Sequence, residues 1–145
     1  MKEDNVLREK SYAFALRVVK VSRQLMDEQH EYILSKQLIR CGTSIGANVE
    51  EAIGGQSERD FEAKLSIAYK EARETHYWIR LLCDSNYLSN PEAVSLLNDV
   101  DELQRILGSI PVSYTHLRAH ETVLDLLCRL MLEKKTYHLN NTHLM

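Results

Sequence analysis

Residues Leu38 to Leu82 read LIRCGTSIGANVEEAIGGQSERDFEAKLSIAYKEARETHYWIRLL. The run holds two amphipathic helical patterns separated by Gly54-Gly55. Glycine adopts the left-handed conformation that ends helices, so the pair marks a stop. In the first pattern Ile33, Leu38, Ile45, Val49 and Ala52 form an apolar stripe, which predicts a helix over about Glu31 to Ile53. Gly42 and Gly46 lie one turn apart inside it. Each costs on the order of 1 kcal/mol of helix propensity relative to alanine. Tolerating both predicts a second backbone close by.

The second pattern opens on Ser57-Glu58-Arg59-Asp60, which has the form of a capping box with Asp in place of the longer Glu. Phe61, Leu65, Ala68, Ala72, Thr75, Ile79 and Leu82 then alternate steps of four and three. This heptad-like seam suits a left-handed helix bundle. Asp60 and Lys64 stand at pairing distance, i and i+4. Tyr69, Tyr77 and Trp78 lie off the seam. They are candidates for a subunit interface, against the alternative of a wide core face within one subunit.

Working outward, Phe14, Val18, Val21 and Leu25 predict a first helix over about Asp4 to Asp27. Ser89-Asn90-Pro91-Glu92 opens a fourth, which carries Val94, Leu97, Val100, Leu103, Ile106 and Leu107 and ends near Gly108. The chain has 145 residues, with only 5 Gly and 2 Pro. Four helices with short connections predict an all-α, antiparallel up-down four-helix bundle over residues 1–110.

Composition narrows the function. Net charge is −3, and residues 1–110 carry 14 Lys+Arg against 18 Asp+Glu, a balance of −4. Bulk charge therefore does not announce a nucleic-acid binder. Cys41, Cys83 and Cys128 are odd in number and far apart, which supports neither a disulfide framework nor a zinc site. No leader-like or membrane-spanning run is present, so a cytoplasmic setting is expected.

One local strip departs from the bulk. Lys10, Arg17, Lys20 and Arg23 fall in a stretch of helix 1 without a single acid. They are candidate phosphate contacts; the plain alternative is a solvated helix face. Ser44 and Asn48, one turn apart on helix 2, read as register-setting polar groups, because a buried Asn must be hydrogen-bonded. Glu50 and Glu51 diverge on a helix, so they cannot converge on one ligand, but each can meet a cation from a neighbouring helix. In the first 110 residues the only histidines are His30 and His76, with no ligand set around them. No catalytic residue, cofactor, metal or small-molecule substrate is expected.

The chain changes character at Pro111. Val112 to Thr122, VSYTHLRAHET, resembles the translation of a transposase-type sequencing adapter. Asp125 to Lys135, DLLCRLMLEKK, resembles its outer end, departing at Leu127 and Met131, with Val123 and Leu124 where a variable index would sit. Residues 111–145 are therefore expected to be a non-native tail, and the i, i+4 pair His116 and His120 is not read as a metal site. A genomic read that encodes Pro111 to Lys135 without a break would overturn this.

The core carries a family resemblance. QLIRCGTSIGANVEEA (Gln37 to Ala52), DFEAKLSIAYKEARETHYWIRLL (Asp60 to Leu82), ELQRILGSI (Glu102 to Ile110) and, more loosely, SYAFALRVVKVSRQL (Ser11 to Leu25) resemble the four-helix-bundle proteins of 23S ribosomal RNA intervening sequences. Cys41-Gly42 stands where that family more often has Ser and another residue, and the end of helix 4 is missing. The resemblance implies a cytoplasmic homo-oligomer, a pentameric barrel, with RNA or a ribonucleoprotein as partner and no enzymatic activity. One branch of the fold serves as accessory protein to a reverse transcriptase. That leaves a protein-partner scaffold as the alternative, with the acids Glu92, Asp99, Asp101 and Glu102 meeting a basic partner.

Overall fold

The computed structural model describes residues 2–110, with side chains from Val6 onward. The expectations for Pro111 to Lys135, His116, His120 and Cys128 lie outside the described residues. Met1–Ile110 is one compact unit. Four helices occupy its described part: α1 (Lys2–Gln29), α2 (Leu34–Ile53), α3 (Glu58–Asp84) and α4 (Asn90–Ser109). Helices adjacent in sequence pack together, and α1 meets α4 to close the ring; the backbones of the diagonal pairs stay apart. This is the antiparallel four-helix bundle, all-α, that the seam and the short turns predict.

The core is a set of matched helical stripes. Leu7, Phe14, Val18 and Leu25 come from α1, and Leu38, Ile45, Val49 and Ala52 from α2. On α3, Leu65, Ala68, Ala72, Thr75, Ile79 and Leu82 are all buried, with Phe61 half-buried at the head of the seam. Burying each large aliphatic or aromatic side chain contributes about 1.5–3 kcal/mol. Two positions read as core face water instead. Ile33 is 77% exposed and Val94 is 54% exposed. Ile33 precedes α2 in the turn, and on α4 the small Ala93 takes the buried position beside Leu96, Val100, Leu103 and Leu107.

The turns explain the helix ends. His30 (φ 53°) and Asn86 (φ 68°) adopt the left-handed conformation that terminates α1 and α3. After Asn86, the Tyr87 N–H donates to the Leu82 carbonyl and the Asn86 N–H to that of Cys83, which closes the last turn of α3. Ser57 accepts from the Asp60 N–H at 3.1 Å to start α3. Ser89 and Glu92 form a complete capping box that encloses Pro91 in the first turn of α4.

The start of α2 has a different device. Glu31 is buried, and its carboxylate accepts from the N–H groups of Ile33 (3.0 Å), Leu34 (2.9 Å) and Ser35 (2.7 Å). Glu31 therefore lies ahead of α2 and caps it, rather than being its first residue. Burial alone would raise its pKa, but the backbone donors Leu34, Ser35 and Ile33 outweigh burial and hold it below the ordinary carboxylate value.

The α1–α2 contact is close. A Cβ at Gly46 would lie 3.3 Å from the Ser11 carbonyl oxygen, so the backbone of α1 does approach there. At Gly42 the neighbour is a side chain instead: the Val18 γ-carbons would stand 2.7 and 2.8 Å from a Cβ.

Candidate functional site

The four candidate cations of helix 1, Lys10, Arg17, Lys20 and Arg23, separate into two pairs. Lys10 meets Glu102 at 2.7 Å, and Arg17 pairs with Asp99 while donating to the Ser95 hydroxyl at 2.9 Å. Both contacts run from α1 to α4, so they clamp the seam that closes the bundle. The Lys10 ammonium holds the Glu102 carboxyl below its usual range. Lys20 and Arg23 point outward and have no acidic partner among the described residues. Of the candidate phosphate contacts, these two stay available and Lys10 and Arg17 do not.

The acids of α4 are occupied within the subunit. Asp99 and Glu102 hold α1, Asp101 lies 3.5 Å from His76 on α3, and Glu92 completes the capping box. Helix 4 therefore does not present a free acidic face to a basic partner. On α2, Glu50 and Glu51 diverge as their spacing requires: Glu50 meets Arg8 of α1 at 2.6 Å and Glu51 meets Lys64 of α3 at 2.7 Å. Lys64 thus turns to Glu51 instead of forming the expected pair with Asp60.

Ser44 and Asn48 are half-buried. Asn48 donates to the Ser44 carbonyl at 2.8 Å and the Ser44 hydroxyl at 3.0 Å. Both bonds stay inside α2, so within this subunit the pair does not set register between helices.

The three aromatics of α3 also separate. Tyr69 and Trp78 pack against the bundle's own core, and Tyr69 lies beside Gly108 of α4. They follow the wide-core alternative. Tyr77 is 54% exposed. Its ring meets Trp78 edge-on, with centroids 5.0 Å apart and planes at 72°. The Trp78 indole N–H donates to Glu74 at 3.2 Å, and Glu74 pairs in turn with Arg40 of α2. Periodicity had no way to show this chain of support, because it crosses between helices.

Nothing here resembles an acid–base centre. Glu71 sits 3.6 Å from Arg40, and burial followed by the neighbouring Glu74 carboxylate raises its pKa. The Cys41 thiol is buried and pushed up to about 11, so it is not a nucleophile at neutral pH. Among the described residues, no three His, Cys, Asp or Glu side chains gather into a possible metal site. A recess is lined by Arg8, Glu9, Tyr12 and Glu50, and the Arg8–Glu50 pair forms part of its wall. Among those residues no helix is long and apolar enough to cross a membrane.

Comparison with known proteins gives consistent results. A family model described as 23S rRNA-intervening sequence protein matches residues 3–109. A crystal structure from Bacteroides thetaiotaomicron, described as a protein with unknown function from the S23 ribosomal protein family, is 47% identical. It superposes with a TM-score of 0.73, over 74% of this chain and 96% of that one. No curated protein matches the chain.

Proposed function

Because the chain belongs to the 23S rRNA-intervening sequence protein family, we propose that it is a non-enzymatic bundle that self-assembles and associates with RNA or a ribonucleoprotein in the cytoplasm. The observation that carries the RNA reading is the sorting of charge. Acids of α2, α3 and α4 are drawn into pairs between helices, while Lys20 and Arg23 stay outward and unpaired. A chain of negative net charge thereby shows a locally basic surface, and short-range phosphate contacts depend on local charge more than on the total. Self-assembly as a homo-oligomer, pentameric by family resemblance, is supported by the exposed apolar side chains Tyr12 and Leu16 on α1. The scaffold alternative, including the role of reverse-transcriptase accessory protein, loses its main support because the acids of α4 are already engaged.

The test is binding of the full chain to a labelled structured RNA across a salt series. Binding at low salt that weakens as salt rises, and weakens further in Lys20→Glu/Arg23→Glu, is the expected result. Absence of binding at low salt, or binding that survives the charge reversal unchanged, would sink the RNA reading.

A further inference from the structure

We propose that the outer face of α3 is a contact surface for an unpaired RNA segment, with Tyr77 as a base-stacking platform between Lys70, Arg73 and Arg80. This rests on the RNA reading above and places a second contact away from Lys20 and Arg23, since α1 and α3 are diagonal in the bundle.

At 3.6 residues per turn, positions 70, 73, 77 and 80 fall within an arc of about 80° on one face of a helix. All four side chains are exposed. The row spans about 15 Å at 1.5 Å per residue. None of Lys70, Arg73 and Arg80 has an acidic partner among the described residues. The acids of α3 within that stretch, Glu71 and Glu74, turn to Arg40 on α2 instead. The row is therefore cationic with no internal neutralisation.

The aromatic inside the row is held in place. Tyr77 rests edge-on against Trp78, which is fixed by Glu74, which is fixed by Arg40. Holding a ring in one orientation lowers the ordering cost of any partner that stacks on it. An aromatic face flanked by cations is the combination that single strands use: bases stack on the ring while the cations meet the phosphates. Duplex RNA does not offer its base faces, so the arrangement fits an unpaired segment better.

The test uses the full chain and a fluorescein-labelled 12-nucleotide oligouridylate over a salt series. Tyr77→Ala should weaken binding roughly ten-fold, and Tyr77→Phe, which keeps the ring, should bind nearly as the parent does. Lys70→Gln/Arg73→Gln/Arg80→Gln should weaken binding and make the log–log salt slope shallower by about two, given a slope of about −0.7 per single-strand phosphate contact. All four positions are exposed, so thermal melts should match the parent. If RNA binds but these variants bind like the parent, the α3 surface is wrong and the RNA reading stands. If the parent chain binds neither this oligomer nor structured RNA at low salt, the RNA reading fails and takes this inference with it. If Tyr77→Ala changes the sedimentation coefficient, Tyr77 is a subunit contact and the stacking assignment is overturned.

Discussion

A methyl group at Gly42 would overlap both γ-carbons of Val18, at 2.7 and 2.8 Å, in a place where both residues are buried. Replacing Gly by Ala there gains about 1 kcal/mol of helix propensity. It also forces two packed helices apart, and overpacking of this kind costs about 1–3 kcal/mol. The overlap is with the isopropyl branch of Val18, which can be shortened. Gly42→Ala should therefore melt below the parent, and adding Val18→Ala should recover part of the loss. The double-mutant cycle should show a coupling larger than about 0.5 kcal/mol. A Gly42→Ala protein that melts at or above the parent temperature would show that α1 yields freely at this point. At this scale the sequence was informative but incomplete. Two glycines one turn apart announce a close neighbour, yet whether that neighbour is the Ser11 backbone or the Val18 side chain depends on the rotation of α1 about its axis, which spacing on α2 does not carry.

The helices were legible where periodicity and punctuation agree. On α3 the seam from Phe61 to Leu82 and its Ser57 cap are local signals, and every seam position is buried or half-buried. The apolar spacing places the start of α2 too early, at Glu31, because Ile33 extends the pattern, while the group that caps the helix is an acid. Glu31 is invisible to a hydrophobic pattern; only its three backbone donors reveal its role. Ion pairs between helices were illegible for the same reason: which cation meets which acid is decided by the packing of separate elements. The Glu31 cap has a pH signature. Its folded pKa lies below the unfolded value of 4.5, so its stabilisation is present above that pH and is lost as pH falls through the folded pKa. Glu31→Gln should cost about 1 kcal/mol at pH 7, typical of losing a cap. The gap between parent and variant in urea denaturation should close as the pH is lowered below about 4.5, because protonated Glu and Gln are nearly isosteric. Glu71 acts in the opposite sense, its raised pKa favouring folding as it protonates, but it is common to both proteins and cancels in the difference. A gap that stays constant with pH would mean that the carboxylate charge does not matter to the cap.

Across the bundle several surface charges pair between helices, while a few large apolar side chains stay outside the core. The α1–α4 closure relies on Arg17 and Lys10, both about two-fifths exposed, and pairs of that kind contribute about 0–1 kcal/mol each. Nearby, Tyr12 is 64% and Leu16 57% exposed, one turn apart on the outer face of α1. Neither side chain serves the core, so their exposure costs a single subunit free energy that a second copy would recover, and aromatic anchors of this sort commonly dominate interfaces. In the proposed assembly this face is the contact between copies. The full chain should then sediment as a multiple of its own mass, and Tyr12→Ser/Leu16→Ser should sediment as a monomer with an unchanged helical circular-dichroism spectrum. RNA binding separates the two roles of α1, because the serine pair leaves Lys20 and Arg23 in place and removes only the avidity that several linked copies provide. The variant should accordingly keep its salt dependence per subunit while binding a long RNA more weakly than the parent. A parent chain that sediments as a single copy at all concentrations would overturn the assembly proposal, and a serine variant that stays oligomeric would move the interface to another face.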